Sequence, residues 1–96
     1  MRIARVVGTA VSTVKDSSLV GHKLLLVRET DERNELTGTV FVAVDVVGAG
    51  TGELVMVSEG SAARHSKATS GQPLDAVIMG ILDSLEVDGT VTFRKG

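Results

Sequence analysis

The 96-residue sequence has no cysteine, which excludes a disulfide framework and a thiolate metal site. It has no tryptophan or tyrosine, and Phe41 and Phe93 are its only aromatic residues. Barrels that hold single-stranded nucleic acid stack bases on aromatic platforms along a basic groove. Two rings, and 10 basic against 12 acidic residues for a formal charge of −2, supply neither. The balance also gives no global pull toward nucleic acid or an anionic membrane. His22 and His65 are the only histidines and form no ligand-spaced cluster, so no metal is expected. No apolar run is long enough for a membrane span, and "MRIARVVGTAV" at the amino end lacks a signal-peptide core. The expected location is the cytoplasm, with no membrane partner.

What the chain has instead is valine. Sixteen valines account for much of its 43% hydrophobic content, and a branched Cβ packs well on a pleated strand. The length suits one small domain, residues 1–96, which buries a smaller share of its surface than a large one and gains from partners. Arg2–Val14 reads as a long strand, with Gly8 where a barrel strand bends. "KDSSLVGH" is a polar connection, Lys23–Glu29 a second strand, and Thr30–Gly38 a charged turn. The acids and Arg33 of that turn read as a solvated tip rather than a catalytic pair. In "TVFVAVDVV", Thr39–Val47, the residues Val40, Val42, Val44 and Val46 share one face; Phe41, Ala43, Asp45 and Val47 share the other. Both faces are largely apolar, so one should meet the core and the other something else. "ELVMVSE" is a further strand. Ser61 can cap a short helical turn over Ser61–His65. In "PLDAVIMGILDSLEVDG", Leu74, Val77, Ile78, Ile81, Leu82 and Leu85 fit a helical stripe behind Pro73. The β-branched residues and Gly80 argue for strand, but periodicity alone favours helix. "EVDGTVTFRK" is a hairpin signal whose Asp88-Gly89 supplies positive φ, which pulls Ile81–Val87 toward strand. Many short strands with glycine turns suggest a small closed barrel.

"VVGAGTGELVMVSEGSAARH", residues 46–65, raises the question of a phosphate-cradling loop. Gly48, Gly50 and Gly52 are spaced G-x-G-x-G, and Glu53 stands where a dinucleotide fingerprint needs its third glycine. The stretch that follows alternates like a strand, so the helix N-terminus that would hold a phosphate is missing. No G-K-[ST] follows either. The glycines read as a tight turn, with Gly50 or Gly52 expected at positive φ, and no cofactor is expected. Ser61, His65 and Asp45 have no triad spacing, and there is no G-x-S-x-G elbow, so the chain is not expected to be an enzyme. Arg64 lies among small residues, where its planar fork can reach across a close contact.

These residues carry a resemblance. Gly48–His65, "GAGTGELVMVSEGSAARH", resembles the signature region of the EutN/CcmL family, the pentameric vertex proteins of bacterial microcompartment (carboxysome and metabolosome) shells. "MRIARVVGTAVSTVK" is similar to that family's opening strand, "PLDAVIMGILDSLE" to its Pro-x-Asp-Ala stretch, and "GTVTFRK" to its last strand. The blocks span essentially the whole chain in the family's order. The resemblance implies an all-β fold, a small OB-like β-barrel with one short helix, assembling as a cyclic pentamer, with Ala76–Val87 mainly strand. It implies a structural protein of the shell in the bacterial cytoplasm that seals five-fold vertices against hexameric and pseudohexameric shell proteins. It assigns no catalysis and no cofactor. The implied subunit or shell contact is the signature region: Gly48, Ala49, Gly50, Gly52, Glu53, Gly60, Ser61, Ala62, Ala63 and Arg64. The alternative is an OB-like single-stranded nucleic-acid-binding barrel; separately, Arg2, Arg5, Lys15 and Lys23 are the candidates for a weak DNA contact by a basic face of the pentamer.

Overall fold

The structure, a computed structural model, describes residues 1–11, 21–59 and 76–96. Among these residues are seven strands: β1 (Arg2–Ala10), β2 (Lys23–Thr30), β3 (Leu36–Asp45), β4 (Leu54–Glu59), β5 (Ala76–Ile81), β6 (Ser84–Val87) and β7 (Thr90–Arg94). The first five close into a barrel in the order β1-β2-β3-β5-β4, with β1 pairing antiparallel to both β2 and β4. The β3–β5 contact is parallel and short, with Val44 opposite Val77 and Asp45 opposite Ile78. This is the five-stranded Greek-key architecture of the OB type. Strands β6 and β7 form a separate two-stranded hairpin. Among the described residues there is no helix; the helical turn expected at Ser61–His65 lies outside them.

Alternation along each strand fills the lumen. Ala4 and Val6, Leu25 and Val27, Ala43, Val55 and Val57, and Ala76 and Ile78 form one buried cluster with Ala49, against which Phe41 and Ile81 pack. A five-stranded barrel is narrow, and valine and alanine match its width; this is why two aromatic rings suffice. A smaller cluster, Val44 and Val77 with Leu24, Val46 and Met79, lies on the outer face of the same strands.

That second cluster explains why periodicity alone favours helix over Ala76–Val87, whereas the segment forms the strands that the family resemblance implies, β5 and β6. Strand β5 is apolar on both sides because Ala76 and Ile78 face the lumen while Val77 joins the outer cluster. A strand covered on both faces gives a continuous apolar run, which periodicity alone cannot tell from a buried helix. Gly80, the residue least suited to a helix interior, leaves room for the cross-strand Met56: a Cβ there would lie 2.7 Å from its Cε. The hairpin is as the sequence suggests, with Asp88 at φ 50° and Gly89 at φ 80°.

Strand boundaries differ in two places. β1 runs to Ala10, short of the expected Val14, whose region lies outside the described residues; the register shift between Val6 and Gly8 marks the expected bend. β3 begins earlier, at Leu36, and ends at Asp45 rather than Val47. It ends there because the Asp45 carboxylate accepts the N–H groups of Val47 (3.0 Å) and Gly48 (3.1 Å), which turns the chain out of the sheet. Ile78 is fully buried in the lumen. Truncation to alanine should cost about 2–5 kcal/mol; denaturant unfolding of Ile78→Ala at fixed protein concentration checks this.

Candidate subunit interface

The glycine loop between β3 and β4 is built around two carboxylates of its own. Asp45 holds the Val47 and Gly48 amides. Glu53 accepts the Gly50 N–H at 2.7 Å, and the Glu53 N–H returns to the Gly50 carbonyl at 3.1 Å. The amides that a phosphate would use are therefore occupied by side chains of the loop. Gly52 donates to the Val6 carbonyl (2.8 Å) and Val6 to the Glu53 carbonyl (2.9 Å), which extends the β1–β4 ladder into the turn. Gly48 (φ 80°) and Gly52 (φ 91°) take left-handed conformations; Gly50 does not. Of the sequence-predicted site residues, Ala49 is turned into the lumen and only 2% exposed, whereas Gly48 and Gly52 face solvent. Gly60, Ser61, Ala62, Ala63 and Arg64 lie outside the described residues.

The loop is fastened to the hairpin by charged groups. Arg5, on the outer side of β1, donates from Nη1 to the Gly52 carbonyl at 2.8 Å and from Nη2 to Asn34 Oδ1. Its guanidinium carbon lies 5.8 Å from the centre of the Phe93 ring on β7. One arginine thus joins the β2–β3 turn, the glycine loop and the hairpin. Lys95 Nζ reaches Glu53 Oε2 at 2.9 Å. Thr92 Oγ1 donates to the Glu32 carbonyl at 2.6 Å. The sequence carried no signal for these ties, since they join residues far apart in the chain whose types are ordinary on any surface.

Of the four residues named for a basic face, two are engaged locally, while Lys23 is exposed at the start of β2. Arg2 sits between Glu29 (3.4 Å) and Glu59 (3.2 Å), Arg5 is engaged as above, and Lys15 lies outside the described residues. Among the described residues, no group of three or more histidines, aspartates or glutamates is gathered as a metal site. The exposed feature is apolar. Val7, Val40 and Val42 are 40–49% exposed on the outside of β1 and β3. Leu26 on β2 lies between them, opposite Gly8 on one side and Val42 on the other. Val40 and Val42 are the uncovered part of the second face of "TVFVAVDVV", whose Val44 is buried in the smaller outer cluster. An apolar sheet face of this kind marks an interaction surface.

Comparison with known proteins decides the family. The family model for EutN/CcmL, described as ethanolamine utilisation protein EutN/carboxysome, matches residues 1–83. The chain belongs to the EutN/CcmL family. It is 44% identical to the carboxysome shell vertex protein CcmL of Gloeobacter violaceus, covering 99% of this chain and 95% of that protein. The solved structure of that protein superposes with a TM-score of 0.91, covering 99% of this chain and 98% of that one. The bacterial microcompartment shell vertex protein PduN of Salmonella typhimurium is 49% identical, covering 88% of this chain and 98% of PduN. GrpN, a pentameric microcompartment shell protein from Rhodospirillum rubrum with a solved structure, is 46% identical with a TM-score of 0.81, covering 91% of this chain and 99% of GrpN.

Two outcomes follow for the EutN/CcmL loop. A Cβ at Gly52 is strained by its backbone conformation, so Gly52→Val should lose about 1–3 kcal/mol in thermal unfolding; at Gly50, without positive φ, the same change should cost less. The second concerns pH. The Lys95 ammonium, then the Gly50 N–H, hold the Glu53 carboxyl below its ordinary 4.5, and Glu53 raises Lys95 above its ordinary 10.5. The Glu53 contribution is complete above 4.5 and is lost as pH falls through the lowered value; the Lys95 contribution is complete below 10.5 and is lost as pH rises through the raised one. Amide exchange in Thr90–Arg94, corrected for intrinsic rates, should therefore accelerate on acidification, and Glu53→Gln should remove that dependence.

Proposed function

We propose that this chain is a structural vertex protein: five copies form a ring that occupies and seals the five-fold corners of a bacterial microcompartment shell in the cytoplasm. The observation that carries this is full-length similarity to shell vertex proteins, one of them pentameric. The apolar outer face of β1–β3 supports it, because a chain this small with an uncovered apolar sheet gains stability from a neighbouring copy.

The role is geometric. Hexagonal tiles alone make a flat sheet; a pentagonal tile removes one sixth of the angle around a point and turns the sheet into a corner. The partners at the rim are hexameric and pseudohexameric shell proteins, and the work is binding without turnover. The occupied amides of the glycine loop and the locally paired arginines support a protein that carries no catalytic or nucleotide site. Vertex proteins of this family occur in carboxysomes and in other bacterial microcompartments, as the names of CcmL, PduN and GrpN illustrate.

Native mass spectrometry of the purified protein at micromolar concentration should give a pentamer. Mixed with a hexameric shell protein, it should convert open sheets or leaky particles into closed shells seen by electron microscopy. A chain that stays monomeric or dimeric, or that leaves the shells open, would sink this reading.

A further inference from the structure

The pentameric reading leaves open which surfaces meet, and the inference here rests on that reading. A ring closed by five-fold rotation uses heterologous contacts, in which one patch of each copy meets a different patch of the next. The apolar face of β1–β2–β3 therefore cannot pair with itself, since self-pairing gives a two-fold dimer. Its partner must be a second surface of the same chain.

We propose that the second surface is the outer side of the β6–β7 hairpin. Register sets Glu86 opposite Val91, so the two side chains share a face, while Leu85 and Phe93 share the other. Phe93 is covered by Arg5. On the opposite face Val91 is 42% exposed, and Glu86 beside it is exposed as well. A two-stranded hairpin is marginal by itself; this one has one side tied to the barrel and the other bare. The receiving face has the complementary pattern. Val40 and Val42 form its apolar part, and Arg28 lies directly across from Val40. Arg28 Nε donates to the Gly38 carbonyl at 3.0 Å, which holds the guanidinium beside that patch. One surface is thus valine with a cation beside it, the other valine with an anion beside it. Among the other exposed large apolar residues, Met1 and Val11 flank the ends of β1, Leu36 opens β3 and Val47 lies in the glycine loop; only Val91 has an acidic partner fixed across a strand ladder.

A charge-exchange experiment on the full chain tests this. Arg28→Glu and Glu86→Arg each place like charges at every contact of the ring, and the double variant restores attraction. Native mass spectrometry and sedimentation across a dilution series read the assembly; circular dichroism and thermal unfolding read the fold. Each single variant should keep its β-sheet spectrum and need about tenfold more protein to form pentamers, and the double should return toward wild type. Val91→Asp should weaken the ring and Val47→Asp should not. Wild-type assembly by both charge variants, or no recovery in the double, would overturn the proposed pairing while leaving the pentamer intact. Disruption by Val47→Asp in place of Val91→Asp would assign the contact to the glycine loop instead. A wild type that forms no pentamer would reject the underlying reading.

Discussion

Closure of the sheet through β1 is the constraint on which the rest depends. Because β1 pairs with β2 on one side and β4 on the other, the barrel has no free edge and its lumen is only as wide as five strands allow. Such a lumen takes alanine, valine, one leucine and one isoleucine as its buried filling. The abundant valine left over must then face outward, and part of it, at Val7, Val40 and Val42, stays in contact with water in the single chain. An apolar exterior follows from building a very small barrel out of β-branched residues, and it suits the proposed ring.

The hairpin is governed by different forces. Among the described residues it shares no strand ladder with the barrel; Arg5, Lys95 and Thr92 tie it to the barrel and its loops, and Leu82, just before it, donates to the Leu54 carbonyl at 2.8 Å. Charge-assisted hydrogen bonds are directional, so a few of them set an angle that greasy contacts would leave loose. In a wall, angle matters more than local stability. In the proposed vertex, a corner seals only if its subunits meet their neighbours at one inclination, and the glycine loop is where the barrel and the hairpin are tied to each other.

The glycine loop also shows how a motif can resemble a ligand site without being one. Its amides at Val47, Gly48 and Gly50 are taken by the carboxylates of Asp45 and Glu53, which supply the negative charge from within the chain. In the EutN/CcmL family setting this serves structure: the turn is satisfied, compact and independent of any ligand.

Much of this was legible in the residues. Period-two alternation with β-branched residues marks β3 and β4, a near-continuous apolar run marks β2, Gly8 marks the bend in β1, and Asp88-Gly89 marks the hairpin, because each of these is a local property of the sequence. Glu53 in the third glycine's place was enough to argue against a nucleotide fingerprint. The family likeness of Gly48–His65 could likewise be read without coordinates. Periodicity left residues 76–81 open and the family resemblance implied strand; the tertiary structure supplies the reason, since a segment covered from both sides loses the alternation that distinguishes the two periods. The tertiary structure alone turned Ala49 inward, set the end of β3 at Asp45, and brought Arg5, Asn34, Gly52 and Phe93 to one point. Those outcomes depend on which distant groups meet when the sheet closes, and a linear pattern records the faces of each strand but not what comes to lie against them.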